Sequence, residues 1–166
     1  MVHDHHETVV PVPAGVSPDD SFETARERLF RYRMFPERLL LPRLASLDGR
    51  VAEGTVVAFR FRLPLVPLAF ESAVRVVETW DRTEADARAA VFAVATLEGH
   101  VERGFETFEV RLERSSGRLT FAIDAWSRPA WWLARLGGPI TRRFQLAASR
   151  AALRFVASSG SSTSGG

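Results

Sequence analysis

The chain has 166 residues, of which 46% are hydrophobic and 25% are charged, and its formal net charge is +2 at pH 7. This length and composition predict a single globular domain of ordinary solubility. No apolar run reaches the roughly 20 residues that a membrane-spanning helix needs, and the absence of cysteine excludes a disulfide framework and thiol catalysis.

Every basic residue is an arginine. A chain without lysine cannot form a lysine Schiff base, which excludes pyridoxal-phosphate and class I aldolase chemistry. The arginines alternate with Asp and Glu, whereas nucleic-acid binding favours clustered positive charge. We therefore expect no nucleic-acid partner.

The two ends of the chain have compositions unlike that of its body. The start, "MVHDHHE", has neither the basic region nor the apolar core of a secretory signal, so a cytoplasmic location is expected. We predict a disordered N-terminus over residues 1–7, one domain over 8–156, and a flexible Ser/Gly-rich tail over 157–166.

The first elements are a short strand and two helical segments. "ETVVPVP" reads as an edge-like strand stopped by prolines. In "SPDDSFETARERLFRYRMF", Ser17 or Asp19 can cap a helix and Pro18 suits its first position. "PERLLLPRLASLDG", residues 36–49, reads as a second, shorter helical segment broken by Pro42.

From Thr55 the hydrophobic period changes to two, which is typical of strands with one buried face. "TVVAFRFRLPL" alternates Phe with Arg, and three strand-like runs follow: "ESAVRVVETWD", "RAAVFAVATL" and "GFETFEVRLER". A turn at Ser116-Gly117 leads into "RLTFAIDAWS".

The remainder is predicted to be helical, with a short helix in "AWWLARL" and a long one from Pro139. An apolar stripe along residues 139–156 would lie on the sheet. The resulting order predicts an α+β helix-grip fold, in which a curved antiparallel sheet wraps a long C-terminal helix and can enclose a cavity.

"TLEGHVERGFETFEV", followed by "SRP", resembles the core motif of an uncharacterised bacterial and plant family of START-like (SRPBCC) domains. The matching positions are Thr96, Leu97, Gly99, His100, Glu102, Gly104, Glu106, Phe108, Val110, Ser127, Arg128 and Pro129. The resemblance implies a START-like fold with a cavity, and no particular reaction.

This hairpin concentrates titratable groups in an apolar chain. Glu106 has the parity of Phe108 and Val110, and on straight strands His100 would lie at the same mouth of the interior. Three interpretations are open: a polar rim without activity, a ligand anchor, or an acid/base pair made by His100 with Glu102 or Glu106. A single histidine in the body is too little for a zinc site, so no metal or other cofactor is expected.

We expect the domain to bind a small hydrophobic or amphipathic molecule between the sheet and the C-terminal helix. An enzyme of the same fold (a cyclase, isomerase or hydrolase) is the first alternative, and an interaction protein with a filled core is the second. Membrane docking by the Trp-rich segment is a minor alternative, and the oligomeric state is open between monomer and homodimer. The candidate ligand-binding residues are Thr96, Arg128, Trp126, Phe59, Phe61, Phe92, Phe108, Phe121 and Phe144.

Overall fold

A computed structural model describes residues 2–37, 40–62, 69–97, 102–129 and 149–158. Seven strands form one antiparallel sheet in the order β1-β7-β6-β5-β4-β3-β2. In chain order the elements are β1 (Val2–Val9), α1 (Pro18–Phe30), β2 (Leu40–Leu44), β3 (Val56–Arg62), β4 (Ala69–Thr83), β5 (Ala87–Thr96), β6 (Glu102–Glu113), β7 (Arg118–Pro129) and α2 (149–158).

The core lies on one face of this sheet, which we call the inner face. Alternate residues of neighbouring strands lie opposite each other there, as in the rows Phe92–Phe108–Ile123 and Ala90–Val110–Phe121, and all six are buried. A register shift between Val76 and Glu78 interrupts the β4–β5 ladder, and such irregularities bend a strand and increase its twist. The predicted strands from Thr55 to Ser127 are thus confirmed.

Helix α1 packs on the inner face against β5, β6 and β7. It begins as the sequence predicts: the Ser17 hydroxyl accepts a hydrogen bond from the Asp20 amide, and Pro18 occupies the first turn. Phe22, Ala25 and Leu29 form its buried side. Those residues anchor the helix to the sheet.

The N-terminus is a strand, so the prediction of disorder over residues 1–7 was wrong. Val2–Val9 pairs with β7 along its whole length, from Val2 opposite Ser127 to Val9 opposite Thr120. The sequence signal was weak because polar residues dominate this segment. Its stability comes from a ladder to a strand more than a hundred residues away, which local composition does not reveal.

The helical prediction for residues 36–49 was also wrong, because Leu40–Leu44 is the edge strand β2. The Ala45 amide bonds to the Val56 carbonyl. The backbone N–H and C=O groups of odd-numbered residues in β2 therefore point toward β3, and those of even-numbered residues point toward the open edge. Pro42, which lacks an N–H, therefore sits where no ladder bond is lost.

The C-terminal helix is confirmed over residues 149–158 only. Ala152 and Val156 are buried in the core. The predicted beginning of this helix at Pro139, the short helix before it and most of the predicted tail lie outside the described residues. The helix nevertheless continues through residues 157 and 158, the first two positions assigned to the tail.

Candidate functional site

An apolar cavity of about 200 Å³ lies between the inner face of the sheet, α1 and α2. Val110 and Phe121 contribute from the sheet, Ala25 and Leu29 from α1, and Val156 from α2. The segment between β1 and α1 completes the wall with Val10, Pro11, Pro13 and Val16. Pro11 and Val16 are exposed, so this segment forms the rim.

Three polar side chains of α1, those of Ser21, Thr24 and Arg28, also line this cavity. Thr24 is exposed, and its hydroxyl donates a hydrogen bond to the Asp20 carbonyl. Ser21 is buried, and its Oγ has no hydrogen-bond partner among the described residues. Arg28, one helical turn from Ala25, is half-buried, and no acidic side chain among the described residues pairs with it. A buried hydroxyl without a partner has an unmet desolvation cost, which a polar atom of a ligand could offset.

A second titratable group lies on the inner face at some distance along β6. Glu106 is half-buried there, opposite Val94 and Ala125, so its predicted parity is confirmed. The charge of Glu106 acts on Tyr32. Burial is the larger cause, and the charge of Glu106 the smaller one, that raises the pKa of the Tyr32 phenol far above its usual value. The phenol is therefore neutral in the folded protein.

Tyr32 is held in place by an unusual helix end. The amides of Tyr32 and Arg33 bond to the carbonyls of Leu29 and Arg28, a Schellman pattern in which Tyr32 has φ 56°. Glycine usually occupies that position, and a side chain there costs about 1–2 kcal/mol. The ring contacts Phe35, Phe92 and Phe108, at centroid distances of 6.0, 5.6 and 6.1 Å.

Only some of the hairpin residues singled out from the sequence belong to the described part of the structure. The Thr96 Oγ1 accepts a hydrogen bond from the Gly104 amide at 3.0 Å, a contact that joins β5 to β6. Glu102 and Arg128 lie in β6 and β7, but their side chains, and all of His100, fall outside the described residues. The acid/base pairing of His100 with Glu102 or Glu106 therefore stays a prediction.

The candidate aromatic residues divide into several groups. Phe121 lines the cavity, whereas Phe92 and Phe108 stack on each other at 5.0 Å and are fully buried in the core. Phe59 is partly buried against that core. The side chain of Phe61 and all of Phe144 lie outside the described residues.

The prediction that Trp126 binds a ligand in the cavity is corrected by the structure. Trp126 lies on the outer face of the sheet and cannot line the cavity. It is 42% exposed and stacks on His3, with ring centroids 3.9 Å apart. Its parity in β7 is that of Asp124 and opposite to that of Phe121 and Ile123. Asp124 in turn accepts hydrogen bonds from His3 and His5, both at 3.0 Å.

Sequence reasoning missed Ser21, Arg28, Tyr32 and the His3–His5–Asp124 cluster. Ser21 and Arg28 could have been found from their spacing, since both lie within a turn of the buried position Ala25. Nothing in the sequence indicated that Tyr32 would fold back from the helix end, or that β1 would lie beside β7.

A curved antiparallel sheet with helices and an apolar cavity on its inner face defines the START-like class of folds. The structure resembles a hypothetical protein from Helicobacter pylori (TM-score 0.62, 10% identity, 96% of this chain and 88% of that one). It also resembles major latex-like protein 151 from Panax ginseng (0.54, 17%, 96% and 97%) and a norcoclaurine synthase mutant from Thalictrum flavumn in complex with a transition-state analogue (0.51, 16%, 92% and 94%). At these identities the likeness shows the fold alone.

Within that class, residues 1–155 match the family DUF1990, a domain of unknown function, and the chain belongs to this family. A UPF0548 protein from Dictyostelium discoideum is 35% identical over 60 residues, which are 32% of this chain and 28% of that protein. The match thus spans under a third of that relative. No helix among the described residues is long and apolar enough to cross a membrane.

Proposed function

We propose that the protein binds a small amphipathic molecule in the cavity between the sheet, α1 and α2. The observation that carries this proposal is the cavity itself, about 200 Å³ with largely apolar walls. A close-packed core has few voids larger than one water molecule. An apolar space of this size beneath two helices can hold a small ligand.

The volume limits the size of the ligand. An apolar cavity of about 150 Å³ binds benzene, so a space slightly larger suits one ring with a short substituent. The polar groups of the wall are the exposed Thr24 hydroxyl, the half-buried Arg28 guanidinium and the Ser21 hydroxyl, which has no partner among the described residues. A carboxylate on that substituent would pair with the guanidinium, which is suited to planar anions.

We also infer that α2 begins before residue 149 and covers more of the inner face. The apolar stripe of residues 139–156, which includes Phe144, supports this extension.

Native mass spectrometry of protein purified without detergent tests the proposal. A reproducible mass excess that vanishes on denaturation is expected. Ala25→Phe, which places a ring in the cavity, should abolish the excess. Ala58→Phe, at an exposed position of β3, is the matched control and should retain it.

Titration with phenylacetate and its neutral amide then tests the polar end. Phenylacetate should bind the wild type more tightly, and Arg28→Gln should remove that preference while leaving the amide unaffected. Equal binding of both probes by both proteins would contradict a role for Arg28. No binding of either probe, together with no mass excess, would overturn the proposed function.

Catalysis in the same fold is the alternative that Glu106 favours, because a half-buried carboxylate beside a neutral phenol is a potential acid/base group. If a bound molecule is found, its covalent structure, followed by NMR, should change on incubation with the wild type. Glu106→Gln should bind it and slow that change about 100-fold or more. An unchanged ligand would leave binding as the function.

A further inference from the structure

Strand β1 forms one edge of the sheet, and half of its backbone groups point away from it. The Val10 amide bonds to the Leu119 carbonyl, and the register is regular from Val2 to Val9. Even-numbered residues therefore bond to β7, and the N–H and C=O groups of His3, His5, Glu7 and Val9 face outward. Within the described ranges none of these four amides has a backbone hydrogen-bond partner.

The opposite edge of the sheet is less accessible to pairing. In β2 the outward positions are Leu40, Pro42 and Leu44. The Leu40 amide bonds to the Pro36 carbonyl, and Pro42 has no amide hydrogen. Proline and short length are common means of protecting an edge from pairing. Strand β1, with eight residues and no proline, has neither protection.

In one antiparallel register, the acidic side chains of β1 lie opposite histidines of a second β1. Outward-facing groups must meet each other, so odd-numbered residues pair with odd-numbered ones. With His5 opposite His5 of a second copy, each His3 faces a Glu7 and each Asp4 faces a His6. A histidine can donate a hydrogen bond to a carboxylate directly across a pair of strands, whereas two carboxylates placed opposite each other repel.

Neighbouring registers lack this match. A shift by two that centres the pairing on Asp4 places Asp4 opposite Asp4 and His3 opposite His5. A shift the other way, centred on His6, keeps Glu7 opposite His5 but leaves Asp4 facing Thr8. Only the His5-centred register pairs both acidic residues with histidines.

We propose that two copies of this chain pair antiparallel through β1, centred on His5, so that their sheets become continuous. The pairing supplies partners for the outward groups of His3, His5 and Glu7 in both copies. Side chains of equal parity lie on the same face of the joined sheet, so the outer faces, with Trp126 stacked on His3, become one surface. The Asp4–His6 pairs lie on the inner face of the sheet, and the cavity takes no part.

Sedimentation velocity over a wide range of concentrations tests this dimer with the full chain. The wild type should associate reversibly to a dimer. His5→Pro removes the outward amide at the centre of the interface and spares the bonds to β7, so it should raise the dimer dissociation constant about tenfold or more. His5→Ala loses the same side chain but keeps the amide, and should change this constant less than about threefold.

Residue-resolved amide hydrogen exchange of the wild type provides a test that needs no variant to fold. The amides of Asp4, His6 and Thr8 should be protected at every concentration. Those of His3, His5 and Glu7 should become protected only as the dimer forms. A monomer throughout the range, a dimer whose outward amides exchange freely, or a folded His5→Pro protein that dimerises as His5→Ala does would each overturn the proposal.

Discussion

Asp124 is the residue through which pH should act on the attachment of β1. Burial tends to raise its pKa, but hydrogen bonds from His3 and His5 outweigh this and hold the pKa below its ordinary value. A carboxyl with a depressed pKa stabilises the fold above its unfolded pKa of about 3.9, and this contribution is lost as the pH falls through the folded value. Asp124→Asn should therefore lower the free energy of unfolding at neutral pH, by less than about 1 kcal/mol, and flatten its decline below about pH 4.

Glu109, on the neighbouring strand β6, is a matched control because its pKa is shifted in the opposite direction. Burial raises its pKa; Arg111 opposes this, while Asp124 and Glu7 add to it. An acid with a raised pKa destabilises the fold once ionised, so stability is gained as the pH falls through the folded value. In urea unfolding across a pH series, Glu109→Gln should raise stability at neutral pH. If Asp124→Asn and Glu109→Gln changed the free energy of unfolding at neutral pH in the same direction, the two opposite pKa shifts would be contradicted.

Single residues were predictable where the strand period alone decides their position. The inward parity of Glu106 followed from Phe108 and Val110. The contact of His3 with Asp124 was not predictable, because it joins residues 121 positions apart through a strand pairing that local sequence does not encode.

Edge strand β2 offers a test at the scale of one element, because its inward and outward positions alternate. Arg43, opposite Ala58, has an odd number and its amide therefore faces β3. Arg43→Pro should cost about 1–3 kcal/mol of stability through the lost ladder bond. Arg43→Ala, which loses the same side chain and keeps the amide, and Pro42→Ala should each change stability by about 0.5 kcal/mol or less.

Denaturant unfolding monitored by circular dichroism measures these differences. If Arg43→Pro were as stable as Arg43→Ala, the direction assigned to the backbone groups of β2 would be wrong.

Strand β2 also shows why the prediction of a helix for residues 36–49 failed. Three consecutive leucines after Pro36 fit a short helical segment by local pattern, whereas the strand is selected by pairing with β3.

At the scale of the whole molecule, alternation predicted five strands and capping predicted α1, because both signals are local. The position of the cavity was less accessible, since it depends on how α1, α2 and the β1–α1 segment meet on one face. Phe121 lines the cavity, while Phe92 and Phe108 are fully buried in the core.

The core on the inner face should carry most of the stability of the molecule, and β6 allows a comparison within one strand. Phe108 is fully buried on the inner face, whereas Phe105 is 39% exposed on the outer one. Phe108→Ala should lower the free energy of unfolding by about 3–5 kcal/mol, because it removes a buried ring and leaves a cavity. Phe105→Ala removes the same atoms from a solvated face and should cost less than about 1 kcal/mol. Urea unfolding of both variants at neutral pH measures the difference, and similar losses would mean that the outer face is also covered in solution, as an interface larger than the β1 edge would require.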